Sequence, residues 1–380
     1  MAATASVTQQ EYSVLLQNVR KTYVKIDLLD FATERKIDEL QGHGVGGNVN
    51  IKADSNCRRS ASVSFVVENS SLSVGANRRF WIDRKIRIYI GLLDIVTGEK
   101  VWFNQGCFIV NNPTVSYSTS TNTISFEALD YMSMLDGTFS GNLQNITEIL
   151  EGTDISDSIS SLVSRVKVKN VERIDRDLPY TIRKEPGSTV YDFLVELNNL
   201  YMDWEFFFDV DGVFVFQKKR NKLNSAVVWN FDDTDDLVLS CSSLIDFANV
   251  KNRQVVWGRD LDNAAQIFYS VENRDPQHPF SIPSIGLRPA KPYINDKIFT
   301  IEQAKKRAEY ELNERSNLRE KLTIQCVPVY NLDVNRVIYF KSANKDIDGQ
   351  YLINDITCPL SFDGEMTIQA HKIYEHLELE

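Results

Sequence analysis

The stretch GCFIVNNPT at residues 106–114 recurs as GQYLINDIT at residues 349–357. Each copy begins with glycine, continues through one aromatic and two aliphatic residues, and ends in Asn-x-x-Thr. After a polar turn, TISFEA at residues 123–128 corresponds to MTIQA at residues 366–370, within a slip of one or two residues. Such alternation is typical of strands with one buried face, so each copy predicts a β-hairpin.

Two further strands precede each hairpin in the same order. They are predicted at residues 62–67 and 85–90 in the first copy, and at residues 322–327 and 336–340 in the second. One matching hairpin can arise by chance, because alternating strands resemble one another. Since three strand pairs match in order, an internal repeat is favoured. We expect Val110 and Ile353 to occupy equivalent strands, and the two copies to be related by approximately a sixfold step.

The predicted fold class is mainly β with an α+β insertion, and two related antiparallel β-barrel-like modules occupy one chain. The predicted domains are a first β-barrel module at residues 1–135, a helical and α+β insertion at residues 136–225, and a second β-barrel module at residues 226–380 with a long helix near residues 300–317. A chain of 380 residues is long enough to bury a core in each.

Helical and strand patterns follow one another in the middle of the chain. Apolar spacing predicts two short helices within residues 143–166, and a further helix that Ser188 caps. Two apolar strands then flank the sequence DVDG at residues 209–212, which suits a hairpin turn. Five prolines within residues 274–292 indicate an extended loop. Thr300 is expected to cap the last long helix.

Composition and charge exclude several classes of protein. Forty-two basic against fifty-two acidic residues give a net charge of −10, which argues against a protein that grips nucleic-acid phosphates. The apolar runs are too short to cross a bilayer, so we expect no membrane span. Residues 1–10 show no secretory or organelle targeting pattern, and we expect the protein to stay where it is made.

The residue types that usually carry chemistry are sparse. Five widely spaced cysteines cannot all pair within one chain and are interpreted as reduced. The histidines show no zinc-protease spacing, and His371 and His376 are expected at the surface. A thiol–imidazole pair of Cys57 with His43 lacks the glycine-rich or strand-to-helix context that such a pair needs. We therefore nominate no catalytic, cofactor-binding or metal-ligating residue, and predict a protein that is not an enzyme.

Two short stretches have the composition of a ligand-binding loop but lack the residue spacing of one. GHGVGG at residues 42–47 has no following Lys-Ser/Thr, so it is predicted to be a flexible loop rather than a phosphate-binding loop. DDTDD at residues 232–236 carries four carboxylates, which suit a hard cation such as calcium. Its spacing matches no calcium loop, so a solvated acidic turn is favoured, and the sequence leaves cation binding there open.

With the repeat and the insertion in place, the sequence resembles the baseplate hub or tail-hub proteins of bacteriophages, contractile tails and related injection particles. Three groups of segments carry the resemblance and cover about two-thirds of the chain. The first group lies at residues 59–65, 102–110 and 128–137, the second at residues 188–216, and the third at residues 304–338 together with the last hairpin. These are degenerate helix and strand patterns rather than a strict signature.

This resemblance implies a homotrimer that adapts a sixfold tail tube to a threefold tip, located in the virion tail baseplate and assembled in the host cytoplasm. The implied partners are a tail tube or distal tail protein, tail-tip or spike and cell-wall-degrading chains, and the tape-measure protein. DNA would pass through the lumen without specific binding, and we expect acidic side chains to predominate on the channel wall. Because the chain ends at Glu380, soon after the second hairpin, we expect no fused spike or wall-degrading domain.

The alternative is a tail-associated cell-wall glycan-binding or hydrolase protein. It is motivated by 15 Tyr, 20 Phe and 5 Trp, whose rings can stack on sugars when they are exposed. Burial of the tryptophans in sheets favours the hub, whereas a row facing solvent favours the glycan reader. The tryptophans concerned are Trp81, Trp102, Trp204, Trp229 and Trp257.

Overall fold

A computed structural model of the protein describes ten stretches of the chain. They are residues 8–42, 46–66, 82, 84–117, 122–201, 203–219, 225–259, 266–316, 318–342 and 347–373. Strands predominate, and the helices are short and few within these residues. None of the described helices combines the length and the apolar character needed to span a membrane.

The first part of the chain forms seven strands after one short helix. Helix α1 is Gln9–Leu15. The strands are β1 Thr22–Asp30, β2 Lys36–Gly42, β3 Gly46–Lys52, β4 Arg59–Val66, β5 Arg84–Leu93, β6 Lys100–Tyr117 and β7 Asn122–Leu129. Strands β4 and β5 bury every second residue or nearly so, which is why their sequences alternate.

The middle of the chain mixes short helices and strands. After a 3₁₀ turn at Tyr131–Met134 come β8 Thr147–Ile149, α2 Ile155–Leu162, β9 Lys169–Val171, β10 Ile182–Lys184, α3 Val190–Asn199, β11 Trp204–Phe208 and β12 Phe214–Lys218. Strands β11 and β12 form the predicted hairpin, with Phe208 opposite Phe214. These elements enclose their own core, centred on residues such as Phe193 and Phe216.

The last part of the chain returns to the β pattern of the first, with one excursion. Its elements are β13 Val227–Asp232, β14 Val238–Asp246, β15 Arg253–Arg259, β16 Gln266–Glu272, α4 Ile282–Ile285, β17 Tyr293–Ile294, α5 Ile301–Asn313, β18 Arg319–Cys326, β19 Val337–Lys341, β20 Asp348–Pro359 and β21 Met366–Lys372. Elements β15 to α5 make the excursion, which has a small core of its own under α5.

The internal repeat is confirmed by strand pairing. Neighbouring strands follow the order β4-β7-β6-β5 in the first copy and β18-β21-β20-β19 in the second. Val110 of β6 lies opposite Ala128, and Ile353 of β20 lies opposite Ala370. In β20 a register irregularity follows this pair directly, and in β6 one follows the next pair, Asn111 opposite Glu127. The sixfold step between the copies stays a prediction.

The two copies are parts of one sheet of thirteen strands. Strand β20 pairs antiparallel with β3, and this pairing joins the second copy to the first. A single hydrophobic core includes side chains from both, such as Ile88 and Phe126 from the first and Phe340 and Ile368 from the second. The fold class predicted from the sequence is confirmed, while the boundaries at 135/136 and 225/226 stay a proposal.

Two local predictions were wrong. The first of the two helices expected within residues 143–166 is the strand β8, which pairs with β10; only α2 is helical. Thr147 and Ile149 are β-branched, and pairing with a strand more than thirty residues away outweighed their helical spacing. Helix α3 is capped by Thr189 rather than Ser188, and Thr189 forms a reciprocal capping box with Asp192. Thr300 does cap α5, as predicted.

The glycine-rich stretch was also misjudged in part. Residues 43–45 lie outside the described residues, but Gly46 and Gly47 begin β3, the strand that joins the two copies. Gly47 has φ of +106°, and a Cβ atom there would lie 1.9 Å from the backbone oxygen of Ser62. Its backbone oxygen also accepts a hydrogen bond from Leu360 N at 3.0 Å. Glycine is required at this position because its φ is positive and the backbone of β4 occupies the space that a Cβ atom would fill.

We predict that Gly47→Ala lowers the free energy of unfolding by about 2 kcal/mol or more, since the methyl group meets backbone rather than a movable side chain. Gly46→Ala is the matched control, because a Cβ there has nothing within 4 Å. Chemical denaturation of both variants measures the difference. Equal stability of the two would contradict this account of Gly47.

Candidate assembly junction

Arg58 directly precedes β4 and Arg59 begins it, and both side chains are buried. The alternation of β4 places Arg59 on the same face as Ala61, Val63 and Phe65, all of which are buried. Arg59 is only 1% exposed, and Arg58 is 6% exposed. A buried guanidinium is costly unless it is paired and hydrogen-bonded, so its partners identify the segments that must meet here.

Arg59 joins three separate parts of the chain. Its Nη2 lies 2.5 Å from Oδ2 of Asp333, in the loop before β19. Its Nη1 donates to the backbone oxygen of Phe208 at the end of β11, at 3.3 Å. Its backbone N–H donates to Oδ2 of Asp130 at 2.9 Å. The first copy, the middle segment and the second copy therefore converge on one side chain.

Arg58 makes a parallel set of contacts beside it. Its guanidinium carbon lies 3.5 Å from the ring centroid of Phe207, and its Nη2 lies 3.4 Å from Oε2 of Glu205. The same carboxylate oxygen accepts a hydrogen bond from Nδ2 of Asn335 at 3.1 Å. We call Arg58, Arg59, Asp130, Glu205 and Asp333 the arginine junction.

Asp130 is the fully enclosed acid of the arginine junction. Burial raises its pKa to about 6, although the backbone N–H groups of Arg59 and Met132 and the charge of Arg59 oppose the shift. Its Oδ1 accepts the hydrogen bond from Met132 at 3.0 Å, which begins the 3₁₀ turn. Asp130 therefore sets the direction in which the chain leaves β7 for the middle segment.

The hairpin turn at residues 209–212 docks the middle segment against the first copy. Oδ1 of Asp209 accepts hydrogen bonds from the backbone of Asp211 and Val213, as expected for an acidic turn. Asn104 of β6 donates to Oδ1 of Asp211 at 2.9 Å. A Cβ on Gly212 would lie 2.8 Å from the ring of Tyr131, so glycine permits this close approach.

A second ion-paired seam joins the middle segment to the excursion. Glu196 of α3 is mostly buried and contacts Lys184 at 2.7 Å and Lys297, which precedes α5. Burial acts to raise the pKa of Glu196, but the two lysine contacts outweigh it and hold the pKa below its usual value. A cleft of about 1130 Å³ opens beside this seam, with basic and acidic residues mixed along its walls.

The sequence-flagged thiol and imidazole groups have structural contacts. Cys57 lies 3.7 Å from Oδ2 of Asp136, and burial together with nearby carboxylates raises its pKa, so it is held as the unreactive thiol. His43 and His376 lie outside the described residues. Nδ1 of His371 contacts Oδ1 of Asn354 on the neighbouring strand. His278 orders a loop, where its Nδ1 accepts from Phe280 N at 3.2 Å.

The acidic stretch at residues 232–236 forms the turn between β13 and β14. Oδ1 of Asp232 accepts hydrogen bonds from Thr234 N at 2.9 Å and from Thr234 Oγ1 at 2.7 Å. These bonds lower the pKa of Asp232. Among the described residues, no group of three or more His, Cys, Asp or Glu side chains is arranged to hold a metal ion.

The chain is similar to known proteins in one sequence segment and in its fold. Residues 277–377 match a family model described as a domain of unknown function, DUF5048. No curated protein matches the chain by sequence. Among solved structures, a tail protein from Neisseria meningitidis MC58 has a TM-score of 0.62 at 15% identity, covering 92% of this chain and 96% of that one.

Two prophage proteins show the same similarity. The 43 kDa tail protein of prophage MuSo2 from Shewanella oneidensis has a TM-score of 0.63 at 14% identity, over 92% of this chain and 98% of that one. The prophage tail protein gp18 from Listeria monocytogenes EGD-e has a TM-score of 0.54 at 13% identity, over 92% and 94% of the two chains. The chain has the phage tail-protein fold.

The described tryptophans of this tail-protein fold form no row facing solvent. Trp229 is buried, and Trp102, Trp204 and Trp257 are half-buried. Trp204 stacks on Phe216 with the ring centroids 4.9 Å apart. Trp81 lies outside the described residues. Trp102 and Trp229 belong to the thirteen-stranded sheet, and Trp204 and Trp257 to two smaller sheets, so the described rings do not form the row that the glycan reader would need.

Sequence reasoning missed the arginine junction, although a signal for it was present. Arg59 sits at a position that the alternation of β4 assigns to the buried face, and a charge at such a position predicts a buried partner. The identities of Glu205 and Asp333 as partners had no comparable signal, because they lie more than a hundred residues away.

We predict that Arg59→Lys lowers the free energy of unfolding by about 2–4 kcal/mol, because one ammonium cannot replace the guanidinium fork between Phe208 and Asp333. Arg183→Lys is the matched control: Arg183 pairs with Glu148 and Glu185 at the surface, and we expect a change below about 0.5 kcal/mol. Urea denaturation monitored by tryptophan fluorescence measures both. Similar losses in the two variants would refute a special role for Arg59.

The raised pKa of Asp130 predicts a pH dependence of stability. Because the folded protein holds this proton more tightly than the unfolded chain, its contribution is full below about pH 4 and is lost as the pH rises to about 6. Relative to Asp130→Asn, wild type should lose about 3 kcal/mol between pH 4 and pH 7. Denaturation of both proteins across this range measures it, and a difference that does not change with pH would disprove the assignment.

Proposed function

We propose that this protein is a structural, non-enzymatic hub of a bacteriophage tail, which assembles as a homotrimeric ring and adapts a sixfold tail tube to a threefold tip. The observation that carries the proposal is the internal repeat. Two four-stranded units with the same strand order and the same register lie in one continuous sheet, on a tail-protein fold.

The repeat supports this function because it sets the number of equivalent units in a ring. A ring of three chains, each with two equivalent units, offers six similar faces on one side, while the remaining parts of the chain repeat only three times. A chain with one such unit would need six copies to match a sixfold tube. The duplicated unit therefore suits a position where sixfold symmetry meets threefold symmetry.

The proposed ring requires a constant angle between the two units of one chain. The arginine junction and the pairing of β20 with β3 supply two independent constraints on this angle. Arg59 is held from both copies and from the middle segment, so one unit cannot swing without leaving a buried charge unpaired. Such rigidity suits a platform on which other chains are mounted.

The partners follow from the position of the ring. A tail tube or distal tail protein would contact the sixfold side, and tail-tip or spike chains and cell-wall-degrading chains would contact the threefold side. The tape-measure protein and the DNA would occupy the lumen. The net charge of −10 supports passage of DNA without specific binding, because a wall on which acidic side chains predominate would not hold phosphates. The ring would belong to the virion and assemble in the host cytoplasm.

The ring is tested by its mass and symmetry. We predict a particle of three times the 43.5 kDa chain mass, with roughly 2,000 Å² or more buried at each contact. Native mass spectrometry at about 50 µM measures the mass, and electron microscopy of assembled tails measures the symmetry. A monomer in the first experiment, together with a hub without threefold symmetry in the second, would exclude the proposal.

A further inference from the structure

The contact between the two copies inside one chain shows how such units join edge to edge. Beyond its pairing with β19, the second half of β20 pairs antiparallel with β3, from Asp355 opposite Lys52 to Pro359 opposite Asn48. Thr357 also bonds to the side chain of Asn50 at 3.1 Å. The end of one central strand therefore adds to the outer strand of the neighbouring unit.

Each partner in this contact has an equivalent in the other copy. The second half of β6 is equivalent to the second half of β20. Thr114 lies opposite Ser125, and Thr357 lies opposite Thr367. Both partners come three residues before the matched alanines, Ala128 and Ala370. Strand β14 is equivalent to β3. It pairs antiparallel with β18 as β3 does with β4, and Ser243 corresponds to Val49.

Neither equivalent has a second strand partner among the described residues. Within the described part of the chain, strand β14 pairs only with β18 and forms one end of the sheet. Leu239, Leu244 and Ile245 on it are 50%, 64% and 46% exposed. On β6, residues 112–116 are exposed, and the pairing with β5 ends at Ile109. The chain thus carries both halves of the internal contact a second time, each open on one edge.

The two ends of the thirteen-stranded sheet differ in a way that supports pairing at β14. At the opposite end, β2 carries Lys36, Asp38 and Glu39, and charges of this kind discourage another strand from adding to an edge. Strand β14 has the sequence VLSCSSLID, with a carboxylate only at its last residue. A long, exposed and nearly uncharged edge strand is a hazard for a free monomer, and is expected where a partner covers it.

We infer that the second half of β6 pairs antiparallel with β14 of a second copy of this chain, in the register of the internal contact. Thr114 and Val115 then lie opposite the Leu244 and Ser243 positions of that copy. This inference rests on the proposed ring and specifies its subunit contact. Because each chain contributes two different surfaces, the contact is head to tail rather than twofold, and it forms a closed ring when the rotation between neighbouring chains closes.

Paired cysteines test the register. In a Cys241→Ser background, which removes the nearby native thiol, Val115→Cys is combined with Ser243→Cys, and Thr114→Cys with Leu244→Cys. Adjacent antiparallel pairs alternate between wider and closer spacing, so one of the two combinations has the closer Cα distance of about 4.5 Å. Mild oxidation of the trimer should give a covalent trimer on a non-reducing gel, and no larger species. Val115→Cys with Leu239→Cys, displaced by about 13 Å along the strand, should not cross-link.

The outcomes separate this inference from the proposed function. A trimer by native mass in which neither matched combination cross-links overturns the inference and leaves the ring. Cross-linking of the displaced pair as efficiently as the matched pairs also overturns it. Covalent chains longer than three support the strand pairing but overturn the closed ring. A monomer that does not cross-link overturns both.

Discussion

The burial of one guanidinium constrains the rest of this structure. Arg59 lies on the inner face of a strand, where a charge is tolerated only when it has partners. Its guanidinium finds them in the middle segment and in the second copy, while its backbone N–H donates to Asp130 at the end of the first copy. Satisfying Arg59 therefore requires that the two copies and the middle segment be assembled together. Because an unpaired buried charge is costly, Arg59 favours the one arrangement in which all three parts of the chain are in contact. The hydrophobic core also stabilises the fold, but its contribution is less directional.

The thirteen-stranded sheet contains a contact surface that occurs twice in the chain. One kind of contact, in which the end of a central strand pairs with an outer strand, joins the two copies within the chain. The outer strand β3 needs glycine at position 47, because the backbone of its other neighbour, β4, occupies the space of a Cβ atom. In the second copy, β14 has Cys241 at the position that Gly47 occupies in β3, and its outer edge has no strand partner among the described residues. The duplicated unit therefore carries the same contact surface twice. One copy of the surface is already paired within the chain, where the two units are linked by the polypeptide.

The sequence predicted those elements whose stability is local. Thr300 was assigned as a cap and the hairpin at residues 209–212 as a turn, because capping and turn formation depend on neighbours within a few residues. The strand at Thr147–Ile149 was missed because its partner lies more than thirty residues away. Strand β3 was missed because its glycines predict a loop, whereas it is held between β4 and the distant strand β20. Arg59 shows an intermediate case, in which burial could be predicted from alternation but the partners could not.

Taken alone, the sequence determined the mainly β class, the duplication and the order of strands within each copy, since alternation and turn chemistry are written in adjacent residues. Only the tertiary structure decided that the copies share one sheet, which strand joins them, and which edges stay open. Those properties depend on the meeting of segments up to three hundred residues apart, such as Asn50 with Thr357, and on whether their backbones have room to approach. No local pattern encodes that meeting, because its free energy exists only when both segments are in place.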